Sequence, residues 1–294
     1  MKLPATLVPA IVVAITAAFW GAWWIPLRGI ETKGLSGDWA TVAVYAAGSA
    51  ALLPVAMFRW PDLVRGGLAL LGAGGFFGLA LATWSHGIIV GDVVRVTLLF
   101  YLTPIWGTLL AIVVLKESMS PLRWLAIALG LTGAAVVLGF EGGLPIPRSE
   151  GDWMGLAAGI AFALSATFAH KFPEIGGFEK TFVAFTLAAV FAWTLAILLP
   201  AGGATAPQDV MGALPLLTAA TMLWLVPITW ALLWAAAHLD PGRVSILLMF
   251  EVVTAAVTAI WLTDEPFGMR GFAGCVLIIG AGTVEAFDQM RRPS

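Results

Sequence analysis

Residues 92–117 read DVVRVTLLFYLTPIWGTLLAIVVLKE, and 148 positions later residues 240–265 read DPGRVSILLMFEVVTAAVTAIWLTDE. Laid over one another without a gap, they share Asp92/Asp240, Arg95/Arg243 and Glu117/Glu265. They also share Val96/Val244, Leu99/Leu247, Ala111/Ala259 and Ile112/Ile260. Aliphatic coincidences are cheap in a chain that is 60% hydrophobic. The charged ones are informative, because only 11% of the residues are charged and these pairs bracket a run long enough to cross a bilayer. The stretch therefore reads as a membrane helix that occurs twice.

Working outward, uncharged runs predict ten spans: Leu7–Leu27, Trp39–Phe58, Leu68–Gly87, Val93–Leu115, Leu122–Phe140, Trp153–His170, Thr181–Leu199, Leu214–Ala237, Arg243–Leu262 and Gly271–Phe287. Ten spans of about 20 residues leave fewer than ten residues for each connection, so no soluble domain fits. With a mean hydropathy of +0.96, the composition excludes a cytosolic enzyme and a disordered chain. A net charge of −2 argues against nucleic-acid binding. One cysteine, Cys275, excludes a disulfide framework. Val8–Phe19 is continuously apolar, unlike the alternating strands of a membrane barrel. The first run also differs from a cleaved signal peptide, since it continues through bulky Trp20, Trp23 and Trp24.

The reading is an all-α polytopic membrane protein built from two five-helix repeats. Residues 1–140 form the first, 141–152 a Gly- and Pro-bearing connector, and 153–294 the second with a short tail. Five is odd, so the second repeat must cross in the opposite sense. Inverted repeats of this kind are the architecture of secondary transporters. Simple duplication of a membrane scaffold is the alternative. The N-terminal tail, even-numbered connections and C-terminal tail hold Lys2, Arg59, Arg65, Lys116, Arg123, Lys171, Lys180, Arg243, Arg291 and Arg292. The opposite side holds Arg28, Lys33, Arg95, Arg148 and Arg270. The excess predicts cytoplasmic N and C termini.

Tyr101-Leu102-Thr103-Pro104, followed thirteen residues after the proline by Glu117, resembles the fourth-helix signature of EamA-type drug/metabolite transporters. Trp20-Gly21 resembles that family's early Trp-Gly pair, and tryptophan richness is most similar to the YddG-type branch of aromatic and broad amino-acid exporters. In the second repeat Val252 stands where the first has Pro104. The resemblance implies amino-acid export across a bacterial inner membrane by alternating access. It also implies a central cavity lined by spans one, three, four, six, eight and nine.

Glu251 is the one acidic residue near the middle of a predicted span. At that depth a carboxyl should face the bundle interior or a water-filled cavity, where it can pair a substrate ammonium or bind a proton. A carboxyl bonded to a neighbouring helix is the plainer explanation. Pro104 and Pro227 should kink spans four and eight, exposing backbone carbonyls beside Tyr101 and Thr103. Trp20, Trp84, Trp224 and Trp230, with Phe168, are candidates for an aromatic lining that stacks on rings or holds a cation. Trp106 and Trp193 also sit deep, whereas Trp23, Trp24, Trp39, Trp60, Trp124, Trp153 and Trp261 suit the interfacial belt. His86 and His238 are rough counterparts at opposite ends. Both are gate candidates, and His86 is also a binding candidate. Arg95, Glu117, Arg243 and Glu265 are gate partners or helix caps. Gly74 and Gly78, and Ala126, Gly130 and Ala134, have the spacing of close helix contacts.

No cofactor or metal is implied, and the expected partners are the lipid bilayer and a small-molecule substrate, with the chain a monomer or weak homodimer. A multidrug or hydrophobic-cation exporter is the alternative within transporters. An intramembrane enzyme would need a metal set, an acidic pair or a Ser/His constellation, and the chain offers three scattered histidines and no such motif. A permanent pore would show a polar stripe along a helix. Phosphorylated sugars lack a mid-span Lys or Arg to meet them.

Overall fold

Apolar runs without internal charge must satisfy their own backbone, and they do so as helices. The computed structural model describes residues 7–139, 146–200, 207–262 and 268–291. Among these, ten helices are long and apolar enough to cross a membrane. They are α1 (Leu7–Glu31), α2 (Gly37–Phe58), α3 (Trp60–Val90), α4 (Val93–Val113), α5 (Pro121–Leu138), α6 (Glu150–Lys171), α7 (Gly177–Leu198), α8 (Met211–Ala236), α9 (Pro241–Leu262) and α10 (Met269–Asp288). The largest departure from the expected boundaries is α3, which begins eight residues early. Gly67, at φ 47° and ψ −138°, separates a charged first turn around Asp62 and Arg65 from the apolar helix beyond.

The recurring Asp-x-x-Arg is a helix start. Asp92 accepts the Arg95 amide at 2.9 Å and Asp240 accepts the Arg243 amide at 3.1 Å, each satisfying an orphan donor of the first turn. Both helices then break at the same register. In α4, Val93–Phe100 and Thr103–Val113 are separate helical segments; in α9, Pro241–Leu248 and Phe250–Leu262 are. Pro104 does not bend a continuous helix as expected. It occupies the first turn of the second segment, where a missing N–H costs nothing. Pro227 likewise follows a wide π-helical turn, Thr221–Leu225, whose counterpart in α3 is Leu71–Gly75. In α3 the same turn forms without proline, over Gly72, Gly74 and Gly75.

Packing follows one scheme in both halves. α3 lies on α6 as α8 lies on α1, α4 on α6 as α9 on α1, and α2–α7, α4–α9 and α5–α10 pair across the halves. Small residues set these approaches: at Gly74 and Gly78 of α3 an added methyl would meet the carbonyl oxygens of Lys180 and Ala184 on α7 at 2.8 and 2.6 Å.

Ion pairs identify the two ends of the bundle. At one end, His86 Nδ1 lies 2.9 Å from Asp38 and its Nε2 lies 3.4 Å from Glu150, while Arg95 pairs Asp152 at 2.8 Å. At the other, Arg123 pairs Asp240 at 2.7 Å and Glu285 at 3.4 Å, and Arg243 reaches both acids at 2.9 Å. Thus α4 begins at the Arg95 end and α9 at the Arg123 end.

Candidate functional site

The breaks in α4 and α9 meet in the interior. Tyr101 terminates the first segment of α4, and Glu251 stands in the first turn of the second segment of α9. The Tyr101 hydroxyl donates to Glu251 Oε1 at 2.5 Å. A carboxyl in the first turn of a helix is favoured by the helix dipole. The close approach of α1 holds the pair in place. Gly21 lies directly against the Glu251 carbonyl, where any side chain would collide with backbone, and this explains why glycine follows Trp20.

Above the pair opens a cavity of about 460 Å³, within the usual size of small-molecule sites. Its floor is Trp20, Phe77, Phe100, Tyr101, Phe162, Leu232, Leu248 and Glu251. Its walls run through Trp23, Trp24, Leu81, Trp84, Thr97 and Ala255, and reach Leu27, Ile88, Val93, Leu138 and Ala259 near the Arg95 end. The helices are those expected, α1, α3, α4, α6, α8 and α9, with α5 added through Val137 and Leu138. Toward the opposite end the described residues pack closely. All eight residues of Pro241–Leu248 are buried, whereas in the equivalent Val93–Phe100 only Val96, Leu99 and Phe100 are. Beyond that plug lies the Arg123–Asp240–Glu285–Arg243 network, with Arg123 fully buried.

Of the anticipated site residues, the structure brings Trp20, Trp84, Tyr101 and Glu251 together around the cavity. Others lie elsewhere. Thr103 is buried beside α6 and its hydroxyl is spent on the Phe100 carbonyl. Phe168 packs on Phe76 and Phe172. Trp224 donates its indole N–H to the Phe19 carbonyl at 3.0 Å, on the side of α1. Trp230 is half exposed on the bundle's outside against Gly177, and Trp193 is also exposed there. His86 sits between Asp38 and Glu150 outside the cavity lining. His238 bonds the Trp234 carbonyl at 2.8 Å and packs at a tilt of 42° against that ring, so the two histidines are not equivalent in environment.

Arg95 and Arg243 serve the two end networks, and Glu117 lies 3.9 Å from Arg123 and 3.7 Å from His170. Glu265 lies outside the described residues. Trp23 and Trp24, assigned by position to the interfacial belt, line the cavity instead. Their signal was spacing: 20, 23, 24 and 27 share one helical face, as do 77, 81, 84 and 88. Among the described residues no group of His, Cys, Asp or Glu is arranged to hold a metal.

Comparisons agree with this architecture. Residues 8–139 match the EamA-like transporter family. An uncharacterized transporter of Pseudomonas aeruginosa is 29% identical over 91 residues, a match that covers 31% of this chain and only 28% of that protein. A solved protein crystal structure superposes with a TM-score of 0.72 over 96% of this chain and 99% of its own, at 17% identity, a likeness of fold alone. Over residues 8–139 the chain is thus similar to the EamA-like transporter family, and its ten apolar helices make it a multi-pass membrane protein.

Proposed function

We propose that this protein is an alternating-access carrier of the bacterial inner membrane. It exports small molecules that pair an ammonium group with an aromatic or apolar body. The observation that carries the reading is the Tyr101–Glu251 pair, placed where two broken helices meet at the floor of an aromatic cavity. Discontinuous helices at mid-membrane are where secondary transporters place substrate. A half-buried carboxyl in the cavity lining and indole faces suit a cation with a hydrophobic body.

Three features support inverted halves and alternation. The breaks of α4 and α9 fall at the same position of the 148-residue repeat, although the two helices start from opposite ends of the bundle. Packing is exchanged helix for helix between the halves. The two copies of one segment also stand in different states, Pro241–Leu248 buried as a plug and Val93–Phe100 half open. With the termini cytoplasmic, as the Lys and Arg census predicts, this cavity faces outward.

Apolar and aromatic amino acids, the substrates of the YddG-type resemblance, carry the required ammonium group. Hydrophobic cations are the second reading, favoured by a single acid among aromatic rings. Counterflow in proteoliposomes tests the carrier: preloading with unlabelled aromatic amino acid or amine should accelerate entry of the labelled compound. Entry indifferent to the preload would mean a pore, and no entry of either class would end the reading.

A further inference from the structure

We infer that the cavity selects cations lacking a carboxylate, namely amines with one positive charge on an aromatic or apolar body, over zwitterionic amino acids of the same body. The inference rests on the transport reading above and places its second substrate class, hydrophobic cations, ahead of amino acids. Among the described residues that line the cavity, Glu251 is the only charged one, and none is Lys, Arg or His. A substrate ammonium would find the Glu251 carboxylate and the faces of Trp20, Trp23 and Trp84. A substrate carboxylate would find no cation, and it would share an apolar cavity with a second carboxylate. Burial of an unpaired charge is heavily penalised.

Two guanidinium groups beside the cavity are not part of its lining. Arg95 at the mouth is held by Asp152 at 2.8 Å and by the Ile146 carbonyl at 3.0 Å. Arg28 lies over the Trp24 ring at 4.8 Å, on the exposed side of α1. Helix breaks can also hold anions through free backbone amides. Here several of those amides are committed: Tyr101 N–H to Thr97 at 2.9 Å, Leu102 N–H to Leu99 at 3.3 Å, and Val252 N–H to Met249 at 3.1 Å. The Trp24 indole, another donor in the wall, is spent on the Thr258 hydroxyl at 3.0 Å. The described lining offers a substrate ammonium a carboxylate and offers a substrate carboxylate no cation, only neutral donors such as the Trp20 indole N–H, which has no partner of its own.

The test uses the full chain in proteoliposomes and matched ligands differing only at the carboxylate. These are phenethylamine, phenylalanine methyl ester and phenylalaninamide against phenylalanine, and tryptamine against tryptophan, measured as competition and as transport. The amines, ester and amide should be preferred over the parent amino acid by about tenfold or more, the factor of one unmade charged hydrogen bond. Equal or better transport of phenylalanine and tryptophan would overturn the inference while leaving the carrier intact. Transport of neither series would overturn the transport reading, and the inference with it.

Discussion

Gly21→Ala is a one-methyl perturbation with a calculable consequence. The new Cβ would fall on the Glu251 carbonyl oxygen, 2.9 Å from the carbonyl carbon and 3.0 Å from the Ala255 amide nitrogen. These are backbone atoms, so no rotamer change relieves the contact. α1 and α9 must separate by about 1 Å to restore ordinary carbon contact distances. Overpacking of this kind costs about 1–3 kcal/mol. The helix-propensity gain of alanine over glycine, about 1 kcal/mol in a helix interior, offsets part of it. The gain is smaller at Gly21, the last residue of its segment. The same separation moves Trp20 away from Glu251 across the cavity floor. Substrate affinity should fall about tenfold, which corresponds to about 1.4 kcal/mol.

Gly280→Ala is the matched control, since nothing lies within 4 Å of its added methyl. It should keep or slightly raise stability. Thermal unfolding of both variants in detergent, with substrate counterflow, reads the difference. If Gly21→Ala matched Gly280→Ala in stability and transport, α1 and α9 would not be in backbone contact at the site.

Arg123→Ala should destabilise the fold by about 3 kcal/mol, near the low end for breaking a buried ion pair because Arg243 still reaches both Asp240 and Glu285. A change below about 0.5 kcal/mol in unfolding would mean the network behaves as a solvated surface cluster. Trp84→Ala should weaken binding of an aromatic amine by about 1 kcal/mol, the worth of one stacked ring, whereas Trp230→Ala should leave it unchanged. Equal losses in direct binding measurements would show that these tryptophans act through general packing.

The sequence exposed its architecture through scarcity. Because charges are few, Asp92, Arg95, Asp240 and Arg243 stood out, and they proved to be the caps and ion pairs that begin α4 and α9. Hydrophobic length located ten helices, and it failed only where Asp62 and Arg65 concealed the first turn of α3. The position of the α9 break was not legible. Val252 replaces the proline of the first copy, and the break at Met249 follows from packing around Pro241–Leu248 rather than from a local breaker.

Depth along a helix identified Glu251, Trp20 and Trp84. It could not say which way Trp224, Trp230 and Phe168 point, because that depends on the rotation of α8 and α6 against their neighbours. Arg123 was counted as a loop charge, yet it is fully buried, paired with Asp240 at the start of α9 and Glu285 of α10. One-dimensional charge counting has no means of seeing such burial.

Glu251→Gln, assayed by binding and counterflow of an aromatic amine, tests the central claim most directly, because the amide keeps the shape and the Tyr101 hydrogen bond while removing the negative charge. Loss of that charge should weaken the amine at least about tenfold, as expected for a hydrogen bond to a charged group, in a protein that unfolds at the same temperature as the parent. Unchanged affinity and counterflow in a folded Glu251→Gln protein would contradict the account.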